Sequence, residues 1–398
     1  MDRKQMALQQ LEQLKDKLIG LNRWMYDNPE LGFREYGAVE RLTAELEQAG
    51  FEVTRGAAGK ETAFVAKYQG AAKGPNIALF AEYDALPDIG HACGHNIIAT
   101  SALGAALALV KSWPDMPGSV YVFGSPAEEQ SSTVDDCGGK AYLVNAGLLD
   151  GIDAAMMMHP GNSYGAWSNN LAVQPLEMVF YGKSAQPAGS AHLGINAFEA
   201  AVLAYTNINA CRQYFKPDHY VHGMITESGP APNIMSPRSV LRLHVRAPRN
   251  AELEELLEKI KRCGEAAAMV TGAKVEFSYY MLRYLDVINN SVLAHLLEDN
   301  LKQLGLPVEP MPPRPRGSTD MGNVSYVVPA VHGHNSLGPA SVVGNTHNPE
   351  FAPATVSEGG EQALLNAARA MAMTVIDLLS NPELVAKAKE EFKRVLKK

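Results

Sequence analysis

Asn76–Trp113 reads NIALFAEYDALPDIGHACGHNIIATSALGAALALVKSW, and the way it divides decides the fold. Asn76–Phe80 is a short apolar run of strand length. A turn-rich stretch carrying three carboxylates, a thiol and two imidazoles follows, and from about Ile97 to Trp113 small apolar residues form a helix. Strand, polar loop and helix in succession are the repeating unit of a layered α/β core. The same texture continues outward, with apolar runs at Phe64–Tyr68, Ser119–Gly124 and Ala154–Met158, each bounded by turn residues. Upstream, Leu11, Leu14, Leu18, Leu21 and Met25 recur at helical spacing until Asn28-Pro29. A second helix is expected over Tyr36–Ala49, with Gly50 as its C-terminal cap.

Near Leu171 the pattern changes. Strands at Leu176–Tyr181, Ser239–Arg246 and Lys274–Tyr280 alternate with helices at Ala197–Tyr214 and Ala251–Thr271. A strand-helix-strand-helix-strand block of about 110 residues is the size of a small α+β domain. Beyond the Pro-rich segment Pro307–Pro315, loop-like sequence carries Gly317, Asp320 and His347, and helices over Gly359–Leu379 and Pro382–Lys398 close the chain. The reading is one α/β domain built from 1–172 and 285–398, interrupted by an inserted α+β domain over 173–284.

The 398 residues fit two domains. With 35 Lys and Arg against 43 Asp and Glu, the net charge of −8 gives no signal for a nucleic-acid partner. Met1–Lys17 is charged and amphipathic, without the apolar core of a signal peptide. The richest apolar run, Ile97–Val110, is shorter than the roughly 18 residues a membrane span needs. Cys93, Cys137, Cys211 and Cys263 form no disulfide framework, so a reducing cytoplasm is expected.

Three apolar runs each lead into residues that can hold a metal or move a proton. After Asn76–Phe80 come Glu82 and Asp84, then Cys93 and His95, a thiol and an imidazole suited to zinc-like ions. One of the two carboxylates can orient a ligand histidine, and His91 reads as structural. After Ser119–Gly124 come Glu128 and Glu129. Neighbours in extended chain point opposite ways, so one glutamate can hold metal while its neighbour faces the substrate as a proton carrier. His159 follows Ala154–Met158. In the last loop His347 is a candidate ligand, with His332 and His334 as rivals that spacing does not exclude.

At these residues the sequence resembles the clan MH metallopeptidase and amidohydrolase family of carboxypeptidase G and aminoacylase. Within it the chain is most similar to the branch of aminobenzoyl-glutamate hydrolase, auxin-conjugate hydrolases and β-alanyl-lysine-type dipeptidases. The matching segments are Glu82–Pro87, Gly90–Asn96, Pro126–Glu129, His159, Gly182–Ala197, Gly317–Pro329 and His347–Phe351, in the family's order. Asn96 and the segment from Gly317 to Ser325 favour the dipeptidase-like branch. The resemblance implies two divalent ions per chain, held by Cys93, His95, Glu129, His159 and His347. Zinc is the first choice for such ligands, with manganese or cobalt able to use the same set. It also implies Glu128 as general base, Asp84 as a supporting carboxylate, and an inserted lid that pairs two subunits into a homodimer. Asn233 and Arg246 match the pair that holds the substrate's α-carboxylate, a task for which arginine's planar fork is suited.

One position departs from the pattern. The family's lid carries a histidine that reaches the partner's site to stabilise an oxyanion, and here the segment reads Gly182-Lys183-Ser184-Ala185-Gln186. Gln186 serves as the donor, or His192 replaces it, or the chain is catalytically weakened. The activity implied is hydrolysis of the amide bond in a dipeptide or N-acyl amino acid with a free carboxylate. The rival is a silent ligand-binding homologue, supported by Gln186 alone. An aminopeptidase acting on longer peptides is disfavoured by an anchor suited to a terminal carboxylate.

Overall fold

The structure is a computed structural model and describes residues 2–129, 136–315 and 317–397. It contains two compact units, one of residues 1–169, 287–313 and 320–398, the other of 170–286 and 314–319.

The first unit is built on a six-stranded sheet of β1 (Glu52–Arg55), β2 (Phe64–Gln69), β3 (Ala72–Ala81), β4 (Pro117–Gly124), β5 (Ala154–Gly161) and β10 (Ala330–Ser336). The order is β1-β2-β4-β3-β5-β10. β4, β3, β5 and β10 run parallel, and β2 is antiparallel to both its neighbours. Along β3, Ile77 and Leu79 face a core shared with helices Arg3–Asp27, His95–Ser112 and Glu358–Ser380, while Ala78 and Phe80 face a second core with Met321 and Val324. Burial on both faces explains why these strands read as unbroken apolar runs. Helix Glu358–Ser380 has the length and hydropathy of a membrane span, and 83% of its most apolar window is buried inside the protein. It is a core helix here.

The second unit has a four-stranded antiparallel sheet ordered β7-β8-β6-β9: β6 (Ala172–Tyr181), β7 (Tyr220–Glu227), β8 (Arg238–Ala247) and β9 (Lys274–Ser278). Leu176, Met178 and Phe180 of β6 pack on helices Ala197–Cys211 and Asn250–Thr271. The opposite face carries pairs such as Arg242–Glu177 (2.8 Å). One apolar and one polar face give the alternation seen in the sequence.

Three strands depart from the sequence reading. β10 lies in what reads as loop, because Ala-Val-His-Gly-His-Asn-Ser has little intrinsic strand preference and owes its form to pairing with β5. β7 is an edge strand with exposed Met224 and a glycine at position 223, and β1 spans four residues. Helix Ser291–Gln303 also went unread; Asn290 caps it by accepting from Leu293 N. The last helix ends at Leu396 rather than Lys398, which lies outside the described residues.

Candidate metal centre

The parallel strands β3, β4 and β5 end on the same side, where α/β sheets gather their sites. Glu82 and Asp84 leave β3, Glu128 and Glu129 follow β4, and His159 lies within the end of β5. Cys93 and His95 sit where the loop after β3 enters helix His95–Ser112. Gly94 between them has φ +81°, and a Cβ there would meet Pro160 Cγ at 2.4 Å, so only glycine permits this turn. His347 is brought in by its backbone N–H, which donates to Ala92 O at 2.9 Å, next to Cys93.

The histidines are oriented by what their Nδ1 atoms touch. His159 Nδ1 lies 2.8 Å from Pro160 O. A carbonyl only accepts, so Nδ1 carries the hydrogen and Nε2 presents a lone pair, 3.5 Å from Cys93 Sγ. His95 Nδ1 lies 2.8 Å from Asp84 Oδ1. Its Nε2 is buried without a hydrogen-bond partner, facing Glu82 Oε2 at 3.4 Å and Glu129 Oε1 at 3.9 Å. A lone pair aimed at two carboxylates is repulsive unless a proton or a cation lies between them. Burial opposes charging His95, but Asp84, Cys93 and Glu82 outweigh it and hold the imidazole well above its usual pKa. Glu129 is within 3.1 Å of His347 Nε2. Burial pushes its carboxyl up, and the hydrogen bond from His347 with the charge of His95 brings it below the usual range.

Ligand atoms fall into overlapping groups, each within 4.8 Å: Cys93, His95 and His159; Cys93, Glu129 and His347; His95, Glu128 and Glu129. Cys93, His95 and Glu129 are each shared between two groups. Soft thiol, neutral-capable imidazole and hard carboxylate together suit zinc, manganese or cobalt, so the residues present fit a metal pair. His91 is outside these groups; burial and the charge of His95 drop its pKa to about 3. His332 and His334 are also outside them, both bonded to Ser168 Oγ, at 2.8 and 3.0 Å.

The loop after β4 is pinned backbone atom by backbone atom. Ser125 N donates to Ala81 O (2.8 Å), Ala127 N to Glu35 Oε1 (2.9 Å) and Glu129 N to Asp84 Oδ2 (3.0 Å). Ala127 takes φ +52°, a left-handed conformation uncommon outside glycine, which these bonds hold in place. Glu35, fully buried, has its carboxyl pushed up to about 8 by burial and then by Asp84. Glu128 is also buried, and burial with the nearby Glu82 and Glu129 raises its carboxyl well above the ordinary range, while Lys140 opposes the shift. A carboxyl whose surroundings favour its protonated form takes up a proton more readily, which suits a proton carrier.

A fourth group, Glu82, Glu128 and Asp320, already contains a cation of the chain. Lys140 is fully buried and pairs through Nζ with both Glu82 and Asp320, and its N–H donates to Asp320 Oδ2 at 2.8 Å. Lys140 and Glu35 were not legible as site residues. Gln186, His192, Asn233 and Arg246 belong to the second unit. There the segments bearing Gln186 and Asn233 are stitched by Met235 N donating to Ala185 O (3.2 Å) and Gly182 N to Pro237 O (2.8 Å). Gln186, His192 and Asn233 are exposed, and Arg246 is half-buried on β8.

Imidazoles with fixed lone pairs, a thiol and a carboxylate beside a buried glutamate of raised pKa define a metal-dependent hydrolase. The profile of Peptidase family M20/M25/M40 matches residues 78–376. Xaa-Arg dipeptidase of Mus musculus is 36% identical over 98% of this chain and 92% of its own length. A component of the p-aminobenzoyl-glutamate hydrolase of Escherichia coli (strain K12) is 33% identical over 71% of this chain and 61% of its own. A Bacillus subtilis crystal structure, described as a dinuclear metal binding peptidase from the M20 family, shares the fold with TM-score 0.68 at 22% identity, covering 93% of this chain and 99% of that one. The chain belongs to Peptidase family M20/M25/M40 and is a metallo-hydrolase.

Proposed function

We propose that the chain is a dipeptidase or amidohydrolase that cuts an amide bond next to a free carboxylate. The observation that carries this is the set of overlapping ligand groups sharing Cys93, His95 and Glu129, with Glu128 beside them. Cys93, His95, Glu129, His159 and His347 would hold two divalent ions, zinc first, manganese or cobalt otherwise. When bound, such ions act as Lewis acids and bring the pKa of water towards neutrality. Asp84 keeps the His95 Nδ1 hydrogen in place, leaving Nε2 as the ligand atom. Glu128 takes a proton from the attacking water and later gives one to the leaving amine.

The family resemblance supports the remaining roles. Arg246 and Asn233 fix the substrate's carboxylate, which aligns the scissile bond. Gln186, or His192 from the same loop, hydrogen-bonds the developing oxyanion across a homodimer. The Xaa-Arg dipeptidase and the aminobenzoyl-glutamate hydrolase are both named for compounds with a carboxylate beside the amide, which points to dipeptides and N-acyl amino acids as substrates.

A hydrolysis screen of dipeptides, Xaa-Arg included, and N-acyl amino acids with added metals tests this reading, with the C-terminal amides run alongside. Arg246→Ala should cut kcat/KM for free acids by an amount on the order of 2 to 5 kcal/mol. Amides should be poor substrates for the wild type and nearly indifferent to the change. Equal wild-type rates on acids and amides would remove the carboxylate anchor.

Gln186 decides between a working and a silent lid. If glutamine is the donor, Gln186→Ala should lower kcat by roughly 10²-fold with little change in KM, and Gln186→His should not raise it. A rise of tenfold or more in Gln186→His would instead show that this chain had lost a donor its relatives keep.

A further inference from the structure

The second unit holds a feature with no part in the proposed hydrolysis. Cys211 closes helix Ala197–Cys211, and Cys263 lies on helix Asn250–Thr271, 52 residues further along the chain. Their sulfurs are 3.8 Å apart, which is contact distance. Both line a cleft of about 510 Å³ together with Tyr214, Phe215, Lys259 and Arg262. A cleft of this size accepts a small molecule. Two aromatic side chains and two cations around two adjacent thiols are a chemistry for an anion that reacts with sulfur.

We propose that this cleft is a thiol–disulfide exchange site, where an anionic low-molecular-weight disulfide of the glutathione type oxidises Cys211 and Cys263 to a reversible disulfide joining the two lid helices. Cys211 is the more accessible of the two, since Cys263 is only 6% exposed. Its thiolate attacks one sulfur of the incoming disulfide RSSR, breaking that S–S bond, releasing RS⁻ and leaving a mixed disulfide on Cys211. Cys263 then attacks Cys211 Sγ; the Cys211–SR bond breaks, and the second RS⁻ leaves with the Cys263 proton. The sum is Cys211–SH plus Cys263–SH plus RSSR giving the protein disulfide plus two RSH. Burial and the neighbouring Cys211 push the Cys263 thiol up to about 12, which disfavours it as the first attacking thiol and leaves that step to Cys211. Lys259 and Arg262 draw in a reagent bearing carboxylates. The inference concerns the lid alone and does not depend on the hydrolytic reading.

The test is to incubate the metal-loaded protein with glutathione disulfide, then denature, alkylate and count thiols by mass spectrometry. Two of the four thiols should disappear, with the peptides containing Cys211 and Cys263 found joined, and excess reduced glutathione should restore all four. Cys263→Ser should stop at a mixed disulfide on Cys211. Reversing both charges, Lys259→Glu with Arg262→Glu, should slow oxidation by glutathione disulfide at least about fivefold while leaving the rate with neutral 2-hydroxyethyl disulfide unchanged. Four thiols persisting in the folded protein, or a wild-type product that stays a mixed disulfide, would overturn the exchange site. Equal slowing with both reagents, or with neither, would overturn the role of the two cations and with it the anionic ligand.

Discussion

Glu128→Gln is expected to lower kcat on a dipeptide or N-acyl amino acid roughly 10³-fold while leaving the metal content at the wild-type level. Glutamine keeps the shape of the side chain and cannot take up a proton, so the change removes proton transfer, which contributes about 10²- to 10⁴-fold in such reactions. The buried carboxyl of Glu128 lies against Glu82, Asp320 and Lys140 as well as against Glu129. Glu129, by contrast, is turned to His95 and His347. Glu129→Gln should therefore lose metal first and activity as a consequence. If Glu128→Gln lost the metal and Glu129→Gln kept it, the two roles would be exchanged.

Lys140→Met should be the most destabilising single change near the site. Lys140 is fully buried, and its ammonium is the counter-charge for Glu82 and Asp320, with Glu128 in the same cluster. Removing one partner of a buried ion pair costs about 3 to 5 kcal/mol, because the charge left behind is neither solvated nor neutralised. The pH dependence follows from the direction of the Glu128 shift. A carboxyl with a raised folded pKa binds more protons folded than unfolded, so it disfavours folding above that pKa and the penalty fades as pH falls. Lys140 is the one group lowering the Glu128 pKa among its main influences, so its loss raises that pKa further. In denaturant unfolding of the metal-stripped protein, Lys140→Met should have a large deficit at pH 7 that narrows towards pH 5. A midpoint unchanged at pH 7 would show that Glu82 and Asp320 find other partners.

The parts of the molecule visible in the sequence are those whose local pattern carries the information. β3, β4 and β5 are buried on both faces, so they appear as apolar runs, and the residues just past their ends stand out against them. β10 is not visible because His332, Gly333, His334 and Asn335 form a strand only through register with β5. Lys140 sits on a seven-residue helix, Gly139–Asn145, where a lysine ordinarily faces water; its burial is set by Asp320, 180 residues later. Glu35 likewise acquires meaning only by accepting from Ala127 N, 92 residues on. Among His332, His334 and His347, spacing gives no preference. Tertiary contacts separate them, with Ser168 occupying the first two and Glu129 facing the third. For the lid residues Gln186, His192, Asn233 and Arg246, the sequence supplies a family pattern, and the solution experiments above decide their roles.

The central claim is that Cys93, His95, Glu129, His159 and His347 hold the metal on which hydrolysis depends. Its most direct measurement is metal content beside activity, for the wild type and for Cys93→Ala and His159→Ala, before and after treatment with a chelator. The account predicts about two divalent ions per wild-type chain, clearly fewer in both variants, no hydrolysis after stripping, and recovery when zinc, manganese or cobalt is returned. Wild-type metal content in both variants, or full hydrolysis by the stripped protein, would contradict it.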